Sequence, residues 1–144
     1  MRLVVQKVKS ASVTSEGTTT GQINQGYMVL VGVKTTDTKA EADYLARKLI
    51  NLRIFEDENG KLNLSIKDVG GELLLVSQFT LYGDTTQGNR PSFITAARPE
   101  QANELYEYFC DQCAKEIKVE KGVFQTHMEV SLINDGPTTI ILEK

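Results

Sequence analysis

"GYMVLVGVKTTDTKAEADYLARKLI", residues 26–50, decides how the chain folds. Its first part, Tyr27-Met28-Val29-Leu30-Val31-Gly32-Val33, is a near-continuous apolar run. Such a run reads as a strand covered on both faces. Thr38-Lys39-Ala40-Glu41 then spells a capping box, with Thr38 placed to accept from the Glu41 N–H while Glu41 reaches back. Ala42, Leu45, Ala46, Leu49 and Ile50 follow at helical spacing and form one apolar stripe. A buried strand running into an amphipathic helix makes the chain a mixture of α and β.

Toward the N-terminus, Leu3, Val5 and Val8 suggest an extended segment that continues through Ala11-Ser12-Val13-Thr14 to a turn at Glu16-Gly17. Residues 21–24 lead through Gln25-Gly26 into the apolar strand. On the other side, Arg53-Ile54-Phe55-Glu56 turns at Asp57-Glu58-Asn59-Gly60 into Lys61-Leu62-Asn63-Leu64, a short hairpin. A second buried strand is expected over residues 72–79. A Gly/Thr/Asn-rich loop, residues 83–89, precedes Arg90-Pro91-Ser92-Phe93. Pro99 sits at the favoured first-turn position of a second helix, whose apolar face carries Ala102, Leu105, Tyr106, Phe109, Cys113 and Ile117. Strands around residues 118–120 and on either side of Gly136-Pro137 close the chain. The expected fold is α+β: one domain over residues 1–144, mostly antiparallel β-sheet in a barrel-like or layered arrangement, with two main helices.

"SLINDGPTTI", residues 131–140, leaves two readings open. Asn134-Asp135-Gly136-Pro137 lies between two strand-like segments, 129–133 and 138–142. It is either a hairpin corner or a Gly-Pro pair placed there for a purpose.

Composition narrows the function. The 144 residues are 40% hydrophobic and 24% charged, ordinary for a globular protein with its own core. The apolar runs are strand-sized and too short to span a bilayer, and the first residues lack a signal-peptide core, so a cytoplasmic location is expected. A net charge of −3 and a pI near 5.2 argue against extensive nonspecific grip on nucleic acid. A nucleic-acid substrate held only at its tip remains compatible. Cys110 and Cys113 are spaced C-x-x-C but fall late in a helical run, which favours buried free thiols over a redox pair. With no second cysteine pair and His127 as the only histidine, no metal site or cofactor is expected. The carboxylates Glu56, Asp57 and Glu58 read as solvated turn charge.

One strand end stands out. Ser77-Gln78-Phe79-Thr80-Leu81-Tyr82 follows Leu73-Leu74-Leu75-Val76, bringing hydroxyls and an amide to the rim of a core. Those polar groups either satisfy nearby backbone or line a site.

"SQFTLY" (77–82), "NDGPTT" (134–139), "SASVT" (10–14) and "RPSF" (90–93) occur in the order and at the separations found in D-aminoacyl-tRNA deacylases, which this chain resembles over its whole length. The resemblance implies a homodimeric editing hydrolase. Its substrate would be the ester joining a D-amino acid, or glycine mischarged on tRNA(Ala), to the 3′ acceptor end of tRNA. It implies that Gly136-Pro137 is cis and reaches into the partner subunit's site, where backbone carbonyls hold the α-amino group and L side chains are rejected. It places Ser77, Gln78, Phe79 and Thr80 on the pocket floor, with amides around Gln78 and Phe79 as oxyanion donors. Phe124 and Met128 resemble residues that contact the terminal adenine, although ordinary core positions would look the same. A threonine hydroxyl needs a base to attack, and none is evident beside Thr80, so water assisted by the ribose 2′-hydroxyl is the expected nucleophile. Two other classes stay open: a non-catalytic nucleic-acid-binding module, and a small-ester hydrolase acting through Ser77 or Thr80.

Overall fold

Strand β1 (Arg2–Ser15) organises the molecule, whose computed structural model describes residues 1–144. One edge of β1 pairs antiparallel with the final strand, β8 (Met128–Glu143). Its other edge is shared: Arg2 to Val8 pair with β3 (Gly26–Gly32), and Ala11 to Ser15 pair with β2 (Thr18–Ile23), both antiparallel. β3 then pairs in parallel with β6 (Glu72–Ser77), and β6 in parallel with β7 (Val119–Lys121). The ends of this order meet. The Thr20 hydroxyl lies 3.5 Å from the Lys121 carbonyl, so the sheet curls into a nearly closed barrel. A Cβ on Gly21 would stand 2.9 Å from that same carbonyl, and glycine is what permits the approach.

The pleat divides the apolar residues between two cores. Leu3, Val5, Tyr27, Val29, Leu73 and Leu75 face the helices α1 (Lys39–Asn51) and α2 (Pro99–Ala114). Val8, Ala11, Val13, Ile23, Met28, Leu74 and Val76 fill the inside of the curl. Period-two alternation along β3 and β6 feeds both cores, which is why their sequences read as apolar throughout.

Both helices start where their sequences indicate. At α1 the Thr38 hydroxyl accepts from the Ala40 N–H at 3.2 Å, and the Glu41 carboxylate accepts from the Thr38 N–H at 2.7 Å, within a full capping box. Pro99 opens α2. Cys110 and Cys113 are buried free thiols on its inner face, and burial pushes the Cys110 thiol up to about 12, so neither suits thiolate chemistry. The hairpin of β4 (Arg53–Glu56) and β5 (Leu62–Ser65) turns on the Asp57 carboxylate, which accepts from the Asn59 and Lys61 amides at 2.8 and 3.0 Å.

Two expectations need correction. The strand expected over 72–79 stops at Ser77, and Phe79–Tyr82 form a 3-10 turn. More consequentially, the segments flanking Gly136-Pro137 are not the arms of a hairpin. Both belong to β8, and both pair with β1. Gln6 faces Thr139 and Val8 faces Asn134, so residues 135–138 have only Lys7 opposite them and bow out of a continuous strand. The Asn134 side-chain amide closes the neck of this bow, donating to the Lys7 carbonyl at 3.0 Å and the Thr138 carbonyl at 3.1 Å.

Candidate active site

β6 ends in a cleft. Its polar end, Ser77 and Gln78, meets Phe79 from the 3-10 turn, Phe93 and Pro99 from the segment entering α2, and Phe124 and Met128 from the segment entering β8. The volume is about 590 Å³. The walls are mostly apolar, and Ala96, Ala97 and Ala102 leave the space open.

Each wall is braced from behind. Phe124 stacks on Tyr106 with centroids 6.4 Å apart, and the Tyr106 hydroxyl donates to the Leu75 carbonyl at 2.7 Å within the core. Gln125 takes a left-handed backbone, φ 62°, unusual for a residue with a side chain. Next to it the Thr126 hydroxyl accepts from Ser15 at 2.7 Å and donates to the Val123 carbonyl at 2.9 Å, fixing the turn. Gly122 makes room for Met128, whose sulfur would lie 2.5 Å from any Cβ placed there. Across the cleft, Phe79 and Phe93 meet edge to face at 5.0 Å.

No ionisable side chain lines the cleft. A general base or acid from the protein is therefore missing where a substrate would sit. What the walls do offer is hydrogen-bonding capacity: the Ser77 hydroxyl, the Gln78 amide and unpaired backbone N–H groups. The Gln78 N–H is committed to the Val31 carbonyl at 2.8 Å, which removes it as an oxyanion donor. The Phe79 amide, which opens the 3-10 turn within the lining, has no partner in the turn, and Gln78 supplies no side-chain cap. The Thr80 side chain stands outside the cleft lining and is exposed. Its hydroxyl accepts from the Gln78 Nε2 at 2.5 Å, so it orients the glutamine.

The structure thus gathers Ser77, Gln78, Phe79, Phe124 and Met128 around one space. Gly136 and Pro137 are elsewhere. From Met128 at the cleft, β8 runs six residues to Asn134 at the neck of the bow, on the order of 20 Å along an extended strand. Both residues are exposed, the bond between them is cis, and Gly136 has φ +120°. His127 is also exposed and outside the cleft.

A family model described as D-Tyr-tRNA(Tyr) deacylase matches residues 4–143. This chain belongs to that family. A curated D-aminoacyl-tRNA deacylase from Koribacter versatilis (strain Ellin345) is 60% identical over 144 residues, covering 99% of this chain and 97% of the relative. Another, from Clostridioides difficile (strain 630), is 56% identical with the same coverage. Among solved structures, the c-Myc DNA Unwinding Element Binding Protein superposes with a TM-score of 0.94 at 42% identity, covering 100% of this chain and 99% of that one. A further solved structure, 16% identical with a TM-score of 0.84, shares the fold. Family membership gives the cleft its context: β6 and its following 3-10 turn contribute the "SQF" stretch to its wall.

The sequence left several lining residues unassigned. Val33, Ala96, Ala97, Pro99, Ala102, Gln125 and Thr126 come from segments far apart in the chain. Only Phe93 carried a signal, inside "RPSF", and nothing local told it from any other loop aromatic.

Proposed function

We propose that the chain hydrolyses D-aminoacyl-tRNA, releasing the D-amino acid and the tRNA while sparing the L-aminoacyl ester. Family membership supports the substrate class. The observation that supports the mechanism is a cleft with hydrogen-bond donors and no ionisable side chain. Water attacks the ester carbonyl carbon, and the Phe79 amide receives the oxyanion that forms. The acyl–oxygen bond to the ribose then breaks, with the proton from water ending on the 3′-oxygen. The vicinal 2′-hydroxyl orients and activates the water, a task no protein side chain is placed to perform. Phe124 and Met128 receive the terminal adenine, and Ser77 and Gln78 position the reacting group. Glycine, which has no side chain to reject, is removed from tRNA(Ala) on the same terms. The setting is cytoplasmic translation, and no helix of the molecule is long and apolar enough to cross a membrane.

Stereoselectivity needs a second copy of the chain. Gly136-Pro137 stands away from its own cleft, so a homodimer in which each bow enters the partner's cleft gives it a substrate to read. Two features favour such pairing. β8 pairs only with β1, leaving a long strand with one edge free, and Ile133 and Ile141 on it are 58% and 64% exposed. The net charge of −3 and the charge-free cleft argue against a non-catalytic nucleic-acid-binding module.

The deciding measurement uses one tRNA charged separately with D- and L-tyrosine. Fast hydrolysis of the D-ester with the L-ester spared is expected; comparable rates would end the proofreading reading. A second expectation separates positioning from attack. Thr80→Ala should retain deacylation at a rate reduced roughly tenfold or less, the effect of losing one orienting contact to Gln78. Isolation of an aminoacyl ester on Thr80 would instead establish the threonine as nucleophile.

A further inference from the structure

The cleft's outer rim is a segment of unusual make-up. Asp84 and Ser92 exchange both backbone hydrogen bonds at 2.8 Å, closing the loop between them and fixing where residue 93 emerges. Further along, the Ala97 N–H donates to the Val33 carbonyl and the Thr35 N–H to the Thr95 carbonyl, each at 2.9 Å. The rim is thus anchored at both ends. Between the anchors Phe93 is 37% exposed and Ile94 is 86% exposed, beside Phe79 at 53%. Gly83 lets the Phe93 ring seat closely, since a Cβ there would lie 3.1 Å from its Cε1.

Arg90 and Arg98 bracket this apolar patch. Both are exposed, and neither takes part in any of the molecule's ion pairs. On a chain of net charge −3, these two arginines, free of any ion pair, stand three and five residues along the chain from the exposed Phe93. Base-stacking rings with cations within reach of the backbone are the combination that holds single-stranded nucleic acid. The cleft itself supplies no charge for phosphate, so that attraction has to come from its margin.

We propose that the rim, residues 90–98, holds the RNA strand immediately 5′ of the aminoacylated nucleotide. Phe93, with its edge against Phe79, stacks the penultimate base, and Arg90 and Arg98 contact the phosphates on either side of it. This rests on the deacylase reading and adds where the RNA leaves the cleft. Ile94 extends the apolar surface beyond Phe93.

The test compares two esters of D-tyrosine: full-length D-tyrosyl-tRNA and D-tyrosyl-adenosine, which ends at the nucleoside. Phe93→Ala should lower kcat/KM on the tRNA roughly fivefold or more, mainly through KM, the scale of one lost base–aromatic stack. The nucleoside ester, whose hydrolysis also uses the cleft wall that Phe93 helps form, should lose at least about fivefold less than the tRNA, and Phe93→Tyr should restore that difference. Arg90→Gln with Arg98→Gln should reduce the slope of log affinity against log salt by roughly 0.7 for each phosphate contact removed. Anisotropy of an uncharged CCA-ended RNA minihelix reads the same surface without hydrolysis, and Phe93→Ala should weaken its binding. Equal losses on both esters would mean that Phe93 only shapes the cleft. An unchanged salt slope, or unchanged minihelix binding, would place the RNA path elsewhere. Failure of the deacylase reading shows separately, as loss of D-over-L selectivity in the wild-type protein.

Discussion

Gly136→Ala is expected to lower D-aminoacyl-tRNA deacylation on the order of 100-fold in a protein that still folds, an effect matching the upper end of backbone-strain costs. Gly136 sits at φ +120°, a region that residues with a Cβ essentially do not occupy. A Cβ there would also lie 2.5 Å from the Thr138 hydroxyl and 2.7 Å from the Thr138 backbone nitrogen. The side chain could swing away; the backbone nitrogen cannot without reshaping the bow. Relief must therefore come from residues 135–138, the ones proposed to enter the partner's cleft. The pairing of β8 with β1 resumes on both sides of the bow, so the fold should bear the change. Asn134→Ala should act in the same direction but more weakly, because it frees the Lys7 and Thr138 carbonyls without adding an atom. Deacylation rates, circular dichroism and dimer mass together provide the check. A folded, dimeric Gly136→Ala with full activity and unchanged stereoselectivity would remove this loop from the mechanism.

The same loop shows where sequence stops informing. Local signals served well wherever one segment decides its own conformation. The capping box at Thr38 and Glu41, the first-turn proline of α2 and the Asp57 turn all lie where their residues indicate. The bow at Gly136 misleads, because strand-turn-strand has the same local pattern whether the strands pair with each other or with a third. The partner is β1, at the opposite end of the chain, and the bond that closes the neck runs from Asn134 to Lys7. No local pattern encodes that choice.

The site follows the same logic. The switch from Leu73-Leu74-Leu75-Val76 to Ser77-Gln78 marked one wall, because hydroxyl and amide groups at the end of an apolar strand need a destination. The family resemblance added Phe124 and Met128, which periodicity could not separate from core. The opposite wall stayed dark. Phe93, Ala96 and Pro99 reach the cleft because the chain before α2 is fastened to Val33 and Thr35 by backbone bonds, and backbone bonds leave no trace in residue type. The amide donor is hidden for the same reason. Gln78 was a reasonable candidate until the parallel pairing of β6 with β3 claimed its N–H for Val31.

That parallel pairing also sets the largest expected loss of stability. Gly26 opens β3 directly opposite Glu72, the first residue of β6. A Cβ on Gly26 would lie 1.8 Å from the Glu72 carbonyl oxygen and 2.7 Å from its nitrogen. Both obstacles are backbone, so no rotamer change relieves the contact; β3 and β6 must separate at the centre of the sheet. The bonds at risk include those from the Glu72 N–H to Gln25 and, further along, the Gln78 N–H to Val31. Leu73, Leu74 and Leu75, all fully buried, would lose their packing as the strands part. Gly26→Ala should therefore cost more than about 4 kcal/mol, in the rare tail of single substitutions and a large share of the stability of a domain this size. Gly88, on the exposed loop, has nothing within 4 Å of its notional Cβ, and Gly88→Ala should be nearly neutral. Urea unfolding of the two variants beside the wild type measures both. Any folded Gly26→Ala should also lose deacylase activity disproportionately, because β6 carries Ser77 and Gln78 to the cleft and a shift at its start is passed along the strand to them. A Gly26→Ala protein with wild-type unfolding midpoint and activity would mean that β3 and β6 are not held in this register.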